Sequence, residues 1–302
     1  MTGHAISRRG FLAGGAGIGV LALAGGGLEL VDHGVLPGKT EFDRLTGGCD
    51  VAAGHVRQGP AGRAVSGSFF SAARNTTVGW TISYPPGFSR SAPPPLVLAL
   101  HGFTGSHAYP LGPITPVRLL AERVDGRRVP PLVIAAADGG NGYWHAHPGD
   151  DPMRMLIEEF LPMCRRRGLG HGPIGVTGTS MGGYGALLVA ETHPDLVGAV
   201  AAISPAVWTS YAEARAANPG AYVDAADFAA HDVVTHTGAL RGMPVRVASG
   251  DDDPFHRDVL DLAAALPGDA EVVFAPGCHA GPFFASQAPP SLEFLGRHLP
   301  TR

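Results

Sequence analysis

Lysine is nearly absent from this 302-residue sequence: Lys39 is the only one among 22 basic residues. Arginine fills the other basic positions, which reads as a base-composition bias of the coding sequence and not as function. Charge is sparse at 16% of residues, acids outnumber bases 26 to 22, and no basic patch dominates. That argues against a nucleic-acid partner. Cysteine is scarce too. Cys49, Cys164 and Cys278 are too few for a disulfide scaffold, and one bridge in an oxidising compartment is the most they allow, with the pair undetermined. Internal repeats are lacking, and no second domain is required. What remains is a chain 45% hydrophobic, long enough to bury one large α/β core.

The N-terminus reads as a targeting segment. Ser7-Arg8-Arg9-Gly10-Phe11-Leu12 is a twin-arginine pattern, an apolar glycine-rich stretch runs from Phe11 to Ala24, and Ala22-Leu23-Ala24 offers a cleavage site. The stretch is too short and glycine-rich for a transmembrane helix. Cleavage after Ala24 would remove two bases and no acid, leaving a more acidic protein. The expectation is an exported protein that engages the twin-arginine machinery and keeps no stable membrane insertion afterwards. Such cargo crosses already folded, so the fold should not depend on a disulfide formed beforehand. Cys49 lies too far past the apolar stretch to be a lipidation site.

Residues 25–64 are polar and glycine-rich with little periodicity, and read as an N-terminal extension. A single catalytic domain is expected over 65–302. Its strands are Ser66–Ser71 and Thr76–Tyr84, paired, then Leu96–Leu100, Leu132–Ala137, Ile174–Thr177, Val197–Ile203, Val245–Ala248 and Glu271–Ala275. Helical segments fall between them at Val117–Val124, Met153–Arg167, Tyr184–Thr192, His256–Ala265 and Ser291–His298. Continuous apolar strands alternating with helices predict an α/β fold, a mostly parallel sheet covered by helices on both faces.

Gly178-Thr179-Ser180-Met181-Gly182 reads G-x-S-x-G at the junction of a strand and a helix. In a chain with 44 glycines the bare motif is weak, and the strand-to-helix context gives it weight. A serine hydroxyl is a poor nucleophile at neutral pH unless a base lies within hydrogen-bond reach and a carboxylate orients that base. Both follow later strands. Ser249-Gly250-Asp251-Asp252-Asp253-Pro254-Phe255 comes after Val245–Ala248, and Pro276-Gly277-Cys278-His279 comes after Glu271–Ala275. His279 is the expected base. Successive side chains alternate in direction, so one of Asp251, Asp252 and Asp253 faces it while another caps the helix near His256.

An oxyanion needs two aimed backbone N–H groups. Met181, at the helix N-terminus, is one candidate, and Phe103, in His101-Gly102-Phe103-Thr104-Gly105 after the strand Leu96–Leu100, is the other. The Phe103 ring would help wall an acyl pocket, and His101 would buttress the loop. Trp144, in the loop Asp138–His145, and Trp208, after Ser204-Pro205, are candidate substrate-binding residues. His145 and His147 with Asp150 and Asp151 fit no tight ligand spacing and read as a polar rim loop, so no metal and no cofactor is expected. The Arg165–Arg167 run ends a helix and reads as a solvated face.

Gly178-Thr179-Ser180-Met181-Gly182-Gly183-Tyr184-Gly185-Ala186 resembles the nucleophile segment of the esterase D-like α/β-hydrolases, the family of S-formylglutathione hydrolases, feruloyl and acetylxylan esterases and actinobacterial mycolyltransferases. Leu100-His101-Gly102 is similar to its oxyanion loop and Pro276-Gly277-Cys278-His279 to its histidine segment, with Cys278 where another small residue is more usual. Gly250-x-x-Asp253-Pro254-Phe255 resembles its acid segment, which favours Asp253. Asp32–Gly38 looks like the extension of secreted actinobacterial members. The likeness covers roughly residues 65–299. It implies a secreted serine esterase acting on a small-molecule or polysaccharide-linked ester. An acyltransferase with the same three residues, and an inactive hydrolase fold that only binds ligands, are the alternatives.

Overall fold

A computed structural model describes residues 62–124 and 126–300. The twin-arginine segment, its cleavage site, Asp32–Gly38, Cys49 and nearly all of the expected extension lie outside the described residues. Among the described residues no helix is long and apolar enough to cross a membrane.

The strands are β1 (Arg63–Ser71), β2 (Thr76–Tyr84), β3 (Leu96–Leu100), β4 (Arg123–Val124), β5 (Arg127–Arg128), β6 (Val133–Ala137), β7 (Ile174–Thr179), β8 (Val197–Ile203), β9 (Val245–Gly250) and β10 (Glu271–Ala275). The helices are α1 (Pro116–Leu119), α2 (Pro152–Arg154), α3 (Leu161–Arg166), α4 (Met181–Thr192), α5 (Tyr211–Ala217), α6 (Ala225–Ala230), α7 (His256–Ala265) and α8 (Gly281–His298). A π-helical stretch, Met155–Phe160, joins α2 to α3. Eight strands form one sheet in the order β1-β2-β6-β3-β7-β8-β9-β10. The six from β6 to β10 run parallel, and β1 and β2 are antiparallel additions at one edge.

The apolar runs are continuous because the central strands are covered on both faces. Leu96, Leu98 and Leu100 of β3 enter the core packed by the π-helical stretch, α3 and α4, while Val97 and Ala99 enter the opposite core with Phe283, Leu292 and Leu295 of α8. One five-residue strand thus seeds both layers, which is the expected architecture.

Three local expectations fail for identifiable reasons. The helix expected over Val117–Val124 ends at Leu119, because Gly126, at φ 79°, turns the chain back and pairs Arg123 and Val124 with β5. The last helix begins at Gly281, ten residues before the expected Ser291. Pro282 occupies its first turn, where a missing N–H is harmless, and Pro289 and Pro290 sit inside it. Between β8 and β9 an insertion carries α5, α6 and a 3₁₀ turn at Thr237–Leu240, with no strong periodicity to announce them.

Helix α4 is buried along nearly its whole length, and that includes Glu191, which is 8% exposed with neither carboxyl oxygen hydrogen-bonded. Burial, and secondarily the nearby Asp232 charge, push its pKa from 4.5 up to about 9. A raised acid favours the folded state fully below the unfolded value and loses that contribution as pH climbs towards the folded value. Stability should therefore fall between about pH 4.5 and 9 by up to about 1.4 kcal/mol per unit. Glu191→Gln is expected to flatten this slope and to raise Tm at the alkaline end, measured by thermal melts across that range.

Candidate active site

Ser180 sits between β7 and α4 with φ 57° and ψ −123°, a conformation that a non-glycine residue adopts only when its surroundings enforce it. They do so here through the backbone. The Ser180 amide donates to Ile203 O at 3.0 Å, and its carbonyl accepts from Tyr184 N at 3.0 Å and Ala206 N at 3.1 Å. Glycine is required on both sides. A Cβ on Gly178 would collide with the Gly182 carbonyl, and one on Gly182 with the Leu100 carbonyl. The motif is therefore a close approach of three backbone segments: the end of β7, the start of α4 and the end of β3.

The side chains of β9 and β10 loops meet Ser180. His279 Nδ1 lies 2.9 Å from Asp253 Oδ2 and 3.1 Å from Oδ1. A carboxylate only accepts, so Nδ1 carries the proton, and Nε2 accepts the Ser180 hydroxyl at 2.7 Å. The Asp253 side chain is fully buried, and Oδ1 also accepts the Phe255 amide at 2.9 Å. Burial by itself would raise its pKa. The positive charge available on His279, the hydrogen bonds from it and the Phe255 amide together outweigh burial and hold the carboxyl below its ordinary value. Asp251 and Asp252 are exposed, with their amides bonded to Ala275 O and Gly277 O, each at 2.9 Å. Of the three aspartates, Asp253 is the one brought to His279. Helix α7 begins from Phe255 without a side-chain cap, so the expected division of labour is replaced by one residue: Asp253 holds both His279 and the Phe255 amide.

The loop after β3 closes the other side. Gly102 lies against the nucleophile segment, where a Cβ would come within 3.3 Å of Ser180 Cβ and 3.2 Å of Thr179 O. Phe103, one residue on, is 49% exposed. Met181 is the first residue of α4, so its N–H has no partner within the helix and stands at the positive end of the dipole. His101 is buried. Its Nε2 accepts the Gly139 amide at 2.9 Å, so Nδ1 bears the proton and donates to Gly102 O at 2.8 Å. Burial lowers the pKa of this imidazole, so it stays neutral and holds the loop, as expected for a buttress.

The two tryptophans lie elsewhere than expected. Trp144 is 0% exposed. Its indole N–H donates to His101 O at 3.2 Å and its ring stands edge-on to His101 at 5.0 Å, so it supports the loop from beneath instead of lining a cleft. Trp208 is buried between Tyr143 at 5.1 Å and Phe255 at 5.5 Å. Phe255 in turn packs against His279 at 5.1 Å, and Phe284 meets the same imidazole edge-on at 5.2 Å. Those two phenylalanines are the residues that sequence reasoning left without a role. Phe255 stood at the end of the acid segment without a role of its own. Phe284 lay in a stretch not read as helix.

The expected rim loop divides. Arg74 holds Asp150 with both Nε at 2.7 Å and Nη2 at 2.8 Å, and Asp151 caps α2 through Arg154 N at 2.9 Å. His145 is buried, with its ring 4.5 Å from that of His147. The Arg165–Arg167 run is partly engaged: Arg165 donates to Gly170 O and Arg167 stacks over Trp80 at 4.9 Å. Among the described cysteines Cys164 is buried and free, whereas Cys278, beside His279, is disulfide-bonded.

Residues 71–267 match the family described as "Putative esterase". No curated protein matches the sequence. Among solved structures the chain is similar to a ferulic acid esterase, at 21% identity and TM-score 0.66 over 80% of this chain and 100% of that one. It is similar to an S-formylglutathione hydrolase of Agrobacterium tumefaciens at 18% and 0.66, over 81% of this chain and 98% of that one. It also resembles a fluorophosphonate-binding serine hydrolase of Staphylococcus aureus at 16% and 0.62, over 78% and 99%. These identities speak for fold, and the fold is that of the α/β-hydrolases.

The geometry distinguishes the aspartates sharply. Asp253→Asn should lower kcat/KM for a p-nitrophenyl ester by roughly 10³–10⁴, since an amide can donate to Nδ1 and so favours the wrong tautomer. Asp251→Asn should stay within a few-fold of wild type. Similar losses in the two variants would refute the assignment of the acid.

Proposed function

This chain belongs to the esterase family, a family of carboxylic ester hydrolases, and from that premise we propose that it is a secreted serine esterase that forms an acyl-enzyme on Ser180. The observation that carries the reading is the unbroken hydrogen-bonded line from Asp253 through His279 to Ser180.

Ser180 Oγ attacks the ester carbonyl carbon as His279 Nε2 takes its proton. The imidazolium that results faces the ionised, buried Asp253. The carbonyl oxygen becomes an oxyanion that accepts from the Met181 and Phe103 amides, with one such donor worth roughly 3 kcal/mol. Collapse breaks the carbon–oxygen bond to the alcohol, which leaves with the proton from His279. Water then attacks the acyl-serine, giving its proton to His279, and the acid departs as Ser180 regains its hydrogen. Phe103, Phe255 and Phe284 around this point support an apolar or aromatic group on the ester. A small-molecule ester or one attached to polysaccharide fits that mouth, in keeping with the ferulic acid esterase among the structural neighbours.

Ser7–Leu12, the apolar stretch and Ala22-Leu23-Ala24 support export, and the disulfide at Cys278 suits an oxidising compartment.

A fluorophosphonate probe is expected to label wild type and to leave Ser180→Ala unlabelled. Ser180→Ala should also lose hydrolysis across a panel of acetyl, longer acyl and feruloyl esters by about 10⁵ or more, with an unchanged circular dichroism spectrum. Activity retained in that variant would overturn the nucleophile. Replacing Arg8 and Arg9 together by lysine should leave the protein inside the cell, read by fractionation. Undiminished export of that variant would remove the twin-arginine route.

A further inference from the structure

The insertion between β8 and β9 folds Asp227 of α6, and His231 just beyond it, against the loop that carries His145. His145 is 1% exposed. Its Nε2 lies 2.9 Å from Ala221 O, an atom that only accepts, so the ring proton is on Nε2 and Nδ1 presents a lone pair. That Nδ1 is buried and has no hydrogen-bond partner. It is 3.8 Å from Asp227 Oδ1, so acceptor faces acceptor across a gap too long for a hydrogen bond. The same carboxylate oxygen is 3.0 Å from His231 Nδ1. One nitrogen or oxygen from each of the three residues falls within 4.8 Å of the others.

We propose that His145, Asp227 and His231 hold a divalent transition-metal ion of the Zn²⁺ class. Ligand atoms about 2.1 Å from one tetrahedral ion stand ~3.4 Å apart, and the separations of 3.0 and 3.8 Å straddle that value. Two imidazoles and one carboxylate suit Zn²⁺, Co²⁺ or Ni²⁺ better than Mg²⁺ or Ca²⁺. The Ala221 carbonyl on Nε2–H supplies the outer hydrogen bond that orients a ligating histidine. A cavity of about 360 Å³, lined by His145, His231, His193 and Glu158 among others, adjoins the cluster and gives the ion an approach and a place for water as its fourth ligand. The rings of His145 and His231 stack at 4.3 Å, and ligation tilts the more exposed His231 and breaks the bond that its Nδ1–H now gives to the Asp227 backbone carbonyl at 2.8 Å, the ring proton moving to Nε2. The site was not legible in the sequence, where the nearest candidates were His147, Asp150 and Asp151. Its other ligands come from the insertion, some eighty residues later.

The test uses the untagged protein, stripped with chelator and titrated with Zn²⁺ by calorimetry and with Co²⁺ by absorbance. One equivalent should bind, Co²⁺ should show the intense visible bands of a four-coordinate ion, and Zn²⁺ should raise Tm. Asp227→Asn and His231→Gln should each weaken binding at least about tenfold while keeping the native circular dichroism spectrum. His279→Gln should bind as wild type does, which separates this site from metal capture by the proposed catalytic imidazole. Absence of stoichiometric binding, unchanged affinity in both Asp227→Asn and His231→Gln, or loss of binding in His279→Gln would each overturn the proposal. None of these outcomes bears on whether Ser180 is the nucleophile.

Discussion

The backbone of Ser180 is the constraint from which the rest of the site follows. A non-glycine residue at φ 57° costs on the order of 1–3 kcal/mol, and the cost is met by contacts that would be lost if it relaxed. Its amide is committed to β8, and its carbonyl to α4 and to Ala206 beyond β8. The absence of side chains at Gly178 and Gly182 lets the start of α4 press against the end of β3. Two consequences come from one strained residue. The hydroxyl reaches His279, and the β3 loop is drawn close enough that a side chain on Gly102 would meet the serine.

The base and acid are held by a comparable economy of backbone. Asp251 N and Asp252 N bond to the carbonyls of Ala275 and Gly277, and a Cβ on Gly250 would strike Gly277. The loops after β9 and β10 are therefore one unit, and Asp253 and His279 cannot drift apart without breaking ladder-like hydrogen bonds. Electrostatics completes the fixation. A buried carboxylate without donors would take up a proton. Here His279 and the Phe255 amide keep it charged, and that charge in turn holds the imidazole in the tautomer that leaves Nε2 free for the serine.

What the sequence revealed was set by how local each cause is. The central strands were legible because both faces are buried and their apolar runs are unbroken, as in Leu96–Leu100. Ser180 and the aspartate cluster were legible because each follows such a strand, and His279 because it follows the half-buried β10. The choice of Asp253 rested on resemblance, because direction along a three-residue run depends on loop geometry. Trp144 was misplaced because being on a loop at the rim says nothing about which way a ring turns. Gly139 and Gly185, by lacking side chains, open the space beneath the loop that the ring fills. Helix α8 was cut short because Pro289 and Pro290 mimic a stop signal. Asp227 and His231 stayed hidden because their partner lies about eighty residues earlier in the chain and no spacing rule reaches that far.

The insertion between β8 and β9 joins these themes. It docks on the body through side-chain donors that end on backbone carbonyls: Tyr184 Oη donates to His231 O at 2.7 Å and His145 Nε2 to Ala221 O at 2.9 Å. Burial keeps Tyr184 protonated and His145 neutral, so each remains a single-proton donor suited to one carbonyl. Leaving such donors unpaired in a buried place costs about 1–3 kcal/mol apiece, so undocking is opposed by more than the loss of apolar contact. The docked surface is also a continuous run of rings, from His145 to Tyr222, Tyr143, Trp208, Phe255 and finally His279. Phe255 is both the first ring against the imidazole and the residue whose amide Asp253 accepts. Any loosening of the insertion removes packing from Trp208 first and from Phe255 next, so the orientation of His279 depends on a segment that contributes no atom to the hydrogen-bonded line itself.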